Sequence, residues 1–228
     1  MLFRLITVND YFTGTPTGTQ SITVTPAAAS SFRVAGFPAT TAGVAHSFTV
    51  TALDPFGNVA TGYTGTAAFS SSDPIASLPG NDTFTAADAG VHTFTAALKR
   101  AGTQSLQVAD ALTSSIIGAE NGIVVSAAAV THFAISGPTS VTQGVGFKIT
   151  VSAVDDFGNV NAGYRGAVHL SSTDSTGGTQ NFTFSNNDNG VHVFSSTFNA
   201  LGFQTLTVVD TTNGAILGGV IVDGLPKS

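Results

Sequence analysis

Val50-Thr51-Ala52-Leu53-Asp54-Pro55-Phe56-Gly57-Asn58-Val59-Ala60-Thr61-Gly62-Tyr63-Thr64-Gly65 decides the fold, because it returns as Val151 to Gly166. The second copy keeps Val151, Ala153, Asp155, Phe157-Gly158-Asn159-Val160, Gly163-Tyr164 and Gly166. Apolar residues alternate up to an Asp, and a Pro- and Gly-bearing turn follows. A strand-and-turn unit that recurs at roughly 100 residues is the signature of tandem β-sandwich modules.

Outward from that stretch, the rest of each module falls into short strands with one apolar face. In the first module, residues 26–126, Phe32 and Val34 mark strand A, and Phe48, Val50 and Ala52 share one face of strand B. Tyr63, Ala67 and Phe69 read as the inner face of strand C, and Thr83-Phe84-Thr85 as a short strand D. His92, Phe94, Ala96 and Leu98 line strand E, Leu106 and Val108 strand F, and Ile123 to Val125 strand G. The second module, residues 127–228, repeats the order. Its markers are Phe133 and Ile135, then Ile149, Val151 and Ala153, then Tyr164 with Ala167 to Leu170. Phe182 to Phe184, His192 with Phe194 and Phe198, Leu206 with Val208, and Val220 to Val222 complete it.

Residues 1–25 read as the C-terminal hairpin of an incomplete module. Ile6-Thr7-Val8-Asn9-Asp10 and Ile22-Thr23-Val24 match Leu106-Gln107-Val108-Ala109-Asp110 and Ile123-Val124-Val125. An isolated hairpin is marginal in water. The expectation is either a segment cut from a longer array or a hairpin that exchanges strands with another chain.

Composition narrows the class. With 26 Gly, 8 Pro and 9% charged residues, the 228-residue chain reads as many short strands joined by tight turns. There is no Trp, so the 17 Phe carry the large-ring packing. The formal charge of -6 and seven scattered Lys and Arg argue against phosphate-mediated binding of nucleic acid and against an electrostatic membrane anchor. Zero Cys excludes disulfides and thiolate chemistry. No apolar run reaches the length of a membrane span. The abundance of Thr, Ser, Gly and Asn leans toward an extracellular or cell-surface stalk, whose export signal would lie outside this chain.

Several motifs together resemble a known family. They are Asp54-Pro55-Phe56-Gly57-Asn58, Gly62-Tyr63-Thr64-Gly65, Asp88-Ala89-Gly90-Val91-His92 and Ala101-Gly102-Thr103-Gln104, with their second-module equivalents. This set resembles the immunoglobulin-like repeats of the filamin type, and more nearly the bacterial immunoglobulin-like tandem repeats of large surface or secreted proteins. The resemblance implies an all-β chain of tandem immunoglobulin-like β-sandwiches used as spacers, adhesive units or binding platforms. It also implies that a sheet edge formed by strands C and D can accept an extended peptide. The sequence departs from the filamin type at His92 and His192, where those repeats carry Tyr.

Three constellations bear on chemistry. Asp155, Asp156, Asn159 and Asp174 supply oxygen ligands of the kind that suit Ca²⁺, as do Asp54, Asn58 and Asp73 with one carboxylate fewer. They are expected to gather at one end of each sandwich, or else to bond their own backbone in turns. His92 and His192 share a face with Phe94 and Phe194 and are expected to act as structural hydrogen-bonders. Tyr63 and Tyr164 either stack on a sugar ring or pack inward, and their phase with Phe69 and Leu170 points inward.

Repetition without a defined site leads to a non-enzymatic expectation: structural or adhesive modules of a larger extracellular bacterial protein, with no cofactor unless Ca²⁺. A carbohydrate- or peptide-binding module is the alternative, and an Asp-dependent hydrolase the third. Expected partners are neighbouring immunoglobulin-like modules and a polysaccharide or peptide strand, with strand exchange through residues 1–25.

Overall fold

The computed structural model describes residues 2–9 and 16–227. β1 (Leu2–Asn9) and β2 (Pro16–Val24) pair antiparallel in a two-stranded sheet, Leu2 opposite Val24 and Val8 opposite Gly18. The expected hairpin is present, although Asp10 of its motif lies outside the described residues.

Two β-sandwiches follow, each a three-stranded sheet facing a five-stranded one. In the first, β3 (Ser31–Ala35), β5 (Ala45–Leu53) and β8 (Val91–Ala97) form the small sheet in the order β3-β5-β8. The large sheet runs β4-β10-β9-β6-β7, from β4 (Thr40–Thr41), β10 (Ile117–Ser126), β9 (Gly102–Asp110), β6 (Thr66–Ser71) and β7 (Asp82–Thr83). The second sandwich repeats both. Its small sheet is β11 (His132–Ser136), β13 (Gly146–Val154) and β16 (Val191–Thr197). Its large sheet joins β12 (Ser140–Thr142), β18 (Leu217–Leu225), β17 (Gly202–Asp210), β14 (Ala167–Ser172) and β15 (Gln180–Thr183) in that order. The chain is thus all-β, as the alternating pattern required.

The predicted faces are the buried ones. Phe48, Val50 and Ala52 are sealed in the first core with Phe32, Phe84, Leu98, Leu106 and Val108. Ile149, Val151 and Ala153 meet Phe133, Phe184, Phe194, Phe198, Leu206 and Val208 in the second. Rings supply the contacts that Trp would otherwise make, as with Phe69 and Phe94 at 4.6 Å in an edge-on arrangement.

Two features differ from the sequence expectation. Strand A is split by Pro38 in the first sandwich and by Pro138 in the second. Proline has no N–H for the ladder, so the chain leaves the small sheet there and joins the large one as β4 or β12, each parallel to the last strand. Strand C is not a sheet edge either. β14 pairs with β15 on one side and with β17 on the other, and β6 likewise with β7 and β9. The edges are β4 and β7, or β12 and β15, in the large sheets, and β3 and β8, or β11 and β16, in the small ones.

By packing, the chain divides into two compact units. The second takes in Thr40–Val44 and Lys99–Gly102 together with Val125–Ser228.

Candidate functional site

The buried aspartates fall into the same set in both sandwiches: Asp54, Asp73 and Asp110 in the first, Asp155, Asp174 and Asp210 in the second. Tyr63 precedes β6, between glycines, and its ring turns inward to meet Phe32 at 5.4 Å and Phe84 at 5.1 Å, both edge-on. Its hydroxyl donates to Asp110, at the end of β9. Tyr164 does the same with Phe133 and Phe184, and donates to Asp210 at 2.5 Å. Gly65 and Gly166 make room for the pair, since a Cβ there would meet the tyrosine oxygen at 2.4 and 2.1 Å. Asp110 also accepts the N–H groups of Leu112 and Thr113, and Asp210 those of Thr212 and Asn213. Burial pushes the Asp210 carboxyl up, but the Tyr164 hydroxyl, Thr212 and these amides outweigh it and hold it at about 2. Burial, then the neighbouring carboxylate, push both tyrosines well above their ordinary value. These tyrosines are pins of the scaffold, their rings turned toward the core, with Tyr63 buried and Tyr164 half-buried. Asp110 and Asp210 were missed in the sequence, although both close an alternating strand.

The expected Ca²⁺ ligands are placed apart. Asp155 follows β13, whose last residue Val154 lies opposite His132. Asp174 accepts the N–H groups of Asn199 and Ala200, beyond Thr197, which lies opposite Gly146 at the other end of β13. A nine-residue strand separates them by roughly 25 Å. Their oxygens are also occupied. Asp155 accepts from the backbone of Phe157, Asn159 and Ala128 and from the Asn159 amide, and Asp174 accepts from Thr176 as well. Asp156 is exposed. Among the described residues, no three carboxylate or imidazole groups are gathered as a metal would need. The four residues do not fit Ca²⁺ as a set. Strands B and C run in opposite senses, so the turns that follow them open at opposite ends.

His92 and His192 serve as expected, and their partner is now visible. Thr85 and Ser185 open a single 3₁₀ turn closed by Asp88 or Asp188, whose second oxygen reaches His92 Nδ1 at 2.7 Å or His192 Nδ1 at 3.2 Å. The Thr85 hydroxyl first, and His92 after it, hold the Asp88 carboxyl at about 2.

The Asp-x-Phe-Gly-Asn turn is the element whose outward side differs between the copies. Asp54 Oδ1 accepts the N–H groups of Phe56 and Asn58 at 2.9 and 2.8 Å. Asp155 Oδ1 accepts those of Phe157 and Asn159 at 2.9 Å each. Both turns are therefore rigid and presented alike. Within the second unit, Phe157 lies against Gly43, where an added Cβ would stand 2.6 Å from the ring, and Lys99 Nζ lies 5.9 Å from the ring centroid. Asn159 donates Nδ2 to Lys99 O at 2.7 Å and accepts Ala101 N–H on Oδ1 at 2.8 Å. Phe56 instead is 82% exposed, while the Asn58 amide bonds Asp54 at 3.0 Å just as the Asn159 amide bonds Asp155 at 2.9 Å.

No family model matches the chain, and no curated protein matches its sequence. Among solved structures, it is similar to the Yersinia pseudotuberculosis adhesin InvE, with 20% identity over 85% of this chain and 58% of that one, and a TM-score of 0.35. It is similar to invasin, a bacterial integrin-binding protein, with 13% identity, 92% and 43% coverage and a TM-score of 0.43. For domains 4–9 of the surface layer protein SbsC the values are 18%, 92%, 33% and 0.32. Bacteroides glycosidases also match at low identity. The chain spans less than two thirds of each of these proteins.

Proposed function

We propose that this chain is a stretch of non-catalytic immunoglobulin-like modules from an extracellular, surface-borne bacterial protein, serving as a spacer or adhesive platform. The observation that supports the reading is how the repeated carboxylates are used. Asp110 and Asp210 lock a tyrosine and a turn, Asp54 and Asp155 hold a loop, and Asp88 and Asp188 hold a 3₁₀ turn. Each takes donors from its own chain, so the groups serve rigidity. Single-molecule stretching tests it. Two separate cooperative lengthenings are expected, each on the order of 30 nm for a sandwich of this length. A chain that extends without resistance would overturn the spacer role.

Peptide binding is the second reading, and one feature of the second sandwich favours it. Beside the edge strand β16 lies a cleft of about 430 Å³ lined by Phe147, Lys148, Thr176, Gly177 and Ser195 to Thr197. An extended peptide could add there to the exposed side of β16. Slowed amide exchange at Ser195 to Thr197 in the presence of an alternating Thr-Val peptide supports this reading; unchanged exchange removes it.

A further inference from the structure

The two Asp-x-Phe-Gly-Asn turns are the same built surface in two conditions, one covered and one bare. We infer that Phe56 and Asn58 form a docking face for the opposite end of a second copy of this chain, namely Gln143-Gly144-Val145 with Asn199-Ala200-Leu201. The proposal rests on the modular reading only in treating the two sandwiches as equivalents.

The covered twin shows what the face accepts. Phe157 needs a glycine turn that offers no side chain, and Asn159 pairs with a carbonyl and an N–H two residues apart, those of Lys99 and Ala101. The second sandwich carries the same group at its far end. Val145 N–H bonds Thr142 O at 3.0 Å as Val44 N–H bonds Thr41 O at 3.1 Å, so the two turns match. Gly144 has φ +72° where Gly43 has +84°. Asn199 stands where Lys99 stands, and its carbonyl already receives an amide donor, Gln143 Nε2 at 2.8 Å. That is the position Asn159 Nδ2 occupies on Lys99 O. The neighbours of a Cβ built on Gly144 are the tips of Lys227 and Asn199, at 3.4 and 3.6 Å. Such tips swing aside at small cost, whereas a core side chain would not. Val145 and Leu201, both more than half exposed, would flank the incoming Phe56 ring.

Because Asp54 holds its turn by main-chain hydrogen bonds, the face is ordered before anything binds, which lowers the cost of docking. The contact joins two unlike surfaces, so it propagates head to tail. Two loops bury far less than a standard interface, and association in the upper micromolar to millimolar range is expected. Gln143 acts as a competitor that the second copy's Asn58 must displace.

Sedimentation velocity on the full chain, from micromolar to millimolar concentration, tests this. The wild-type chain should form larger species as concentration rises, and Gln143→Ala should bring them in at concentrations at least several-fold lower. Phe56→Ser, at an exposed position, should return the chain to a monomer with an unchanged circular dichroism spectrum. A monomer at every concentration, for wild type and Gln143→Ala alike, overturns the proposal. So does association that Phe56→Ser leaves intact, which would assign it to the β1–β2 hairpin instead. Either failure leaves the stretching experiment, and the modular reading it tests, unaffected.

Discussion

Compared strand for strand, the two sandwiches agree inside and disagree at their margins. Tyr63–Asp110 and Tyr164–Asp210 are the same pin, and the loops held by Asp54 and Asp155 superpose in every backbone hydrogen bond described above. The edge beside the small sheet differs. In the first sandwich Ser77 exchanges two backbone hydrogen bonds with Ala97, at 2.8 and 2.9 Å, and covers the end of β8. In the second, Gly177 and Gln180 touch β16 through side-chain bonds, Ser196 Oγ to Gly177 O and Gln180 Nε2 to Ser195 O, and a cleft remains. The difference teaches that the buried polar set carries the fold, while loop composition decides which edge is open. Thr176-Gly177-Gly178 stands where the first sandwich has Ile75-Ala76-Ser77, so a glycine takes the place of the bridging Ser77.

The sharpest way to break the agreement inside is to remove one pin. Asp210→Ala would strand the half-buried Tyr164 hydroxyl and release Thr212 and Asn213, and should cost about 3 kcal/mol in urea unfolding. Asp110→Ala should cost about the same in the first sandwich. Unequal costs would show that the copies are not mechanically equivalent. Tyr164→Phe keeps the ring and loses only the donor, so about 1–2 kcal/mol is expected.

Solution pH probes the same pins from both sides. Asp88, Asp174 and Asp210 are held at about 2, below an unfolded value of about 3.9. A depressed carboxylate adds stability above the unfolded value and loses it as pH falls toward the folded one. The urea midpoint should therefore be flat from neutral to pH ~5 and fall between about 4 and 2, with a shallower fall in Asp210→Asn. Tyr63 and Tyr164 are raised, so their contribution is complete below about 10 and declines as pH climbs past it. A midpoint indifferent to acid would contradict the buried-pin account.

The smallest effect sharpens the contrast between the two Phe-Gly-Asn turns. Asn159→Ala loses bonds to Lys99 and Ala101 that Asn58→Ala does not, and should cost about 1 kcal/mol more. Equal costs would mean the covered and bare turns differ only in appearance.

What was legible from residues alone was whatever obeys a short period. Phe48-Val50-Ala52 and Ile149-Val151-Ala153 alternate, so their burial follows from strand geometry. The inward Tyr63 and Tyr164 and the structural roles of His92 and His192 followed from the same phase. Partnerships across long separations were not legible: Tyr63 and Asp110 lie 47 residues apart, and no local pattern joins them. The acidic turns were expected to gather because one follows strand B and the other strand C, but antiparallel strands send successive turns to opposite ends. Strand A's change of sheet had a signal in Pro38 and Pro138, whose missing N–H forbids continuing the ladder. The unequal exposure of Phe56 and Phe157 had none, since the two turns share their Phe-Gly-Asn text and differ only in what distant loops bring to them.

That change of sheet sets how each sandwich yields to tension. β12 runs parallel to β18, Ser140 beside Asp223 and Thr142 beside Leu225, and the two belong to opposite ends of the second repeat. Tugging the ends apart drags these neighbours lengthwise in opposing directions, so their bonds share the load together instead of unzipping singly. A proline that merely interrupts one strand thus fastens the first segment of the repeat to its last, like a latch across a closing seam.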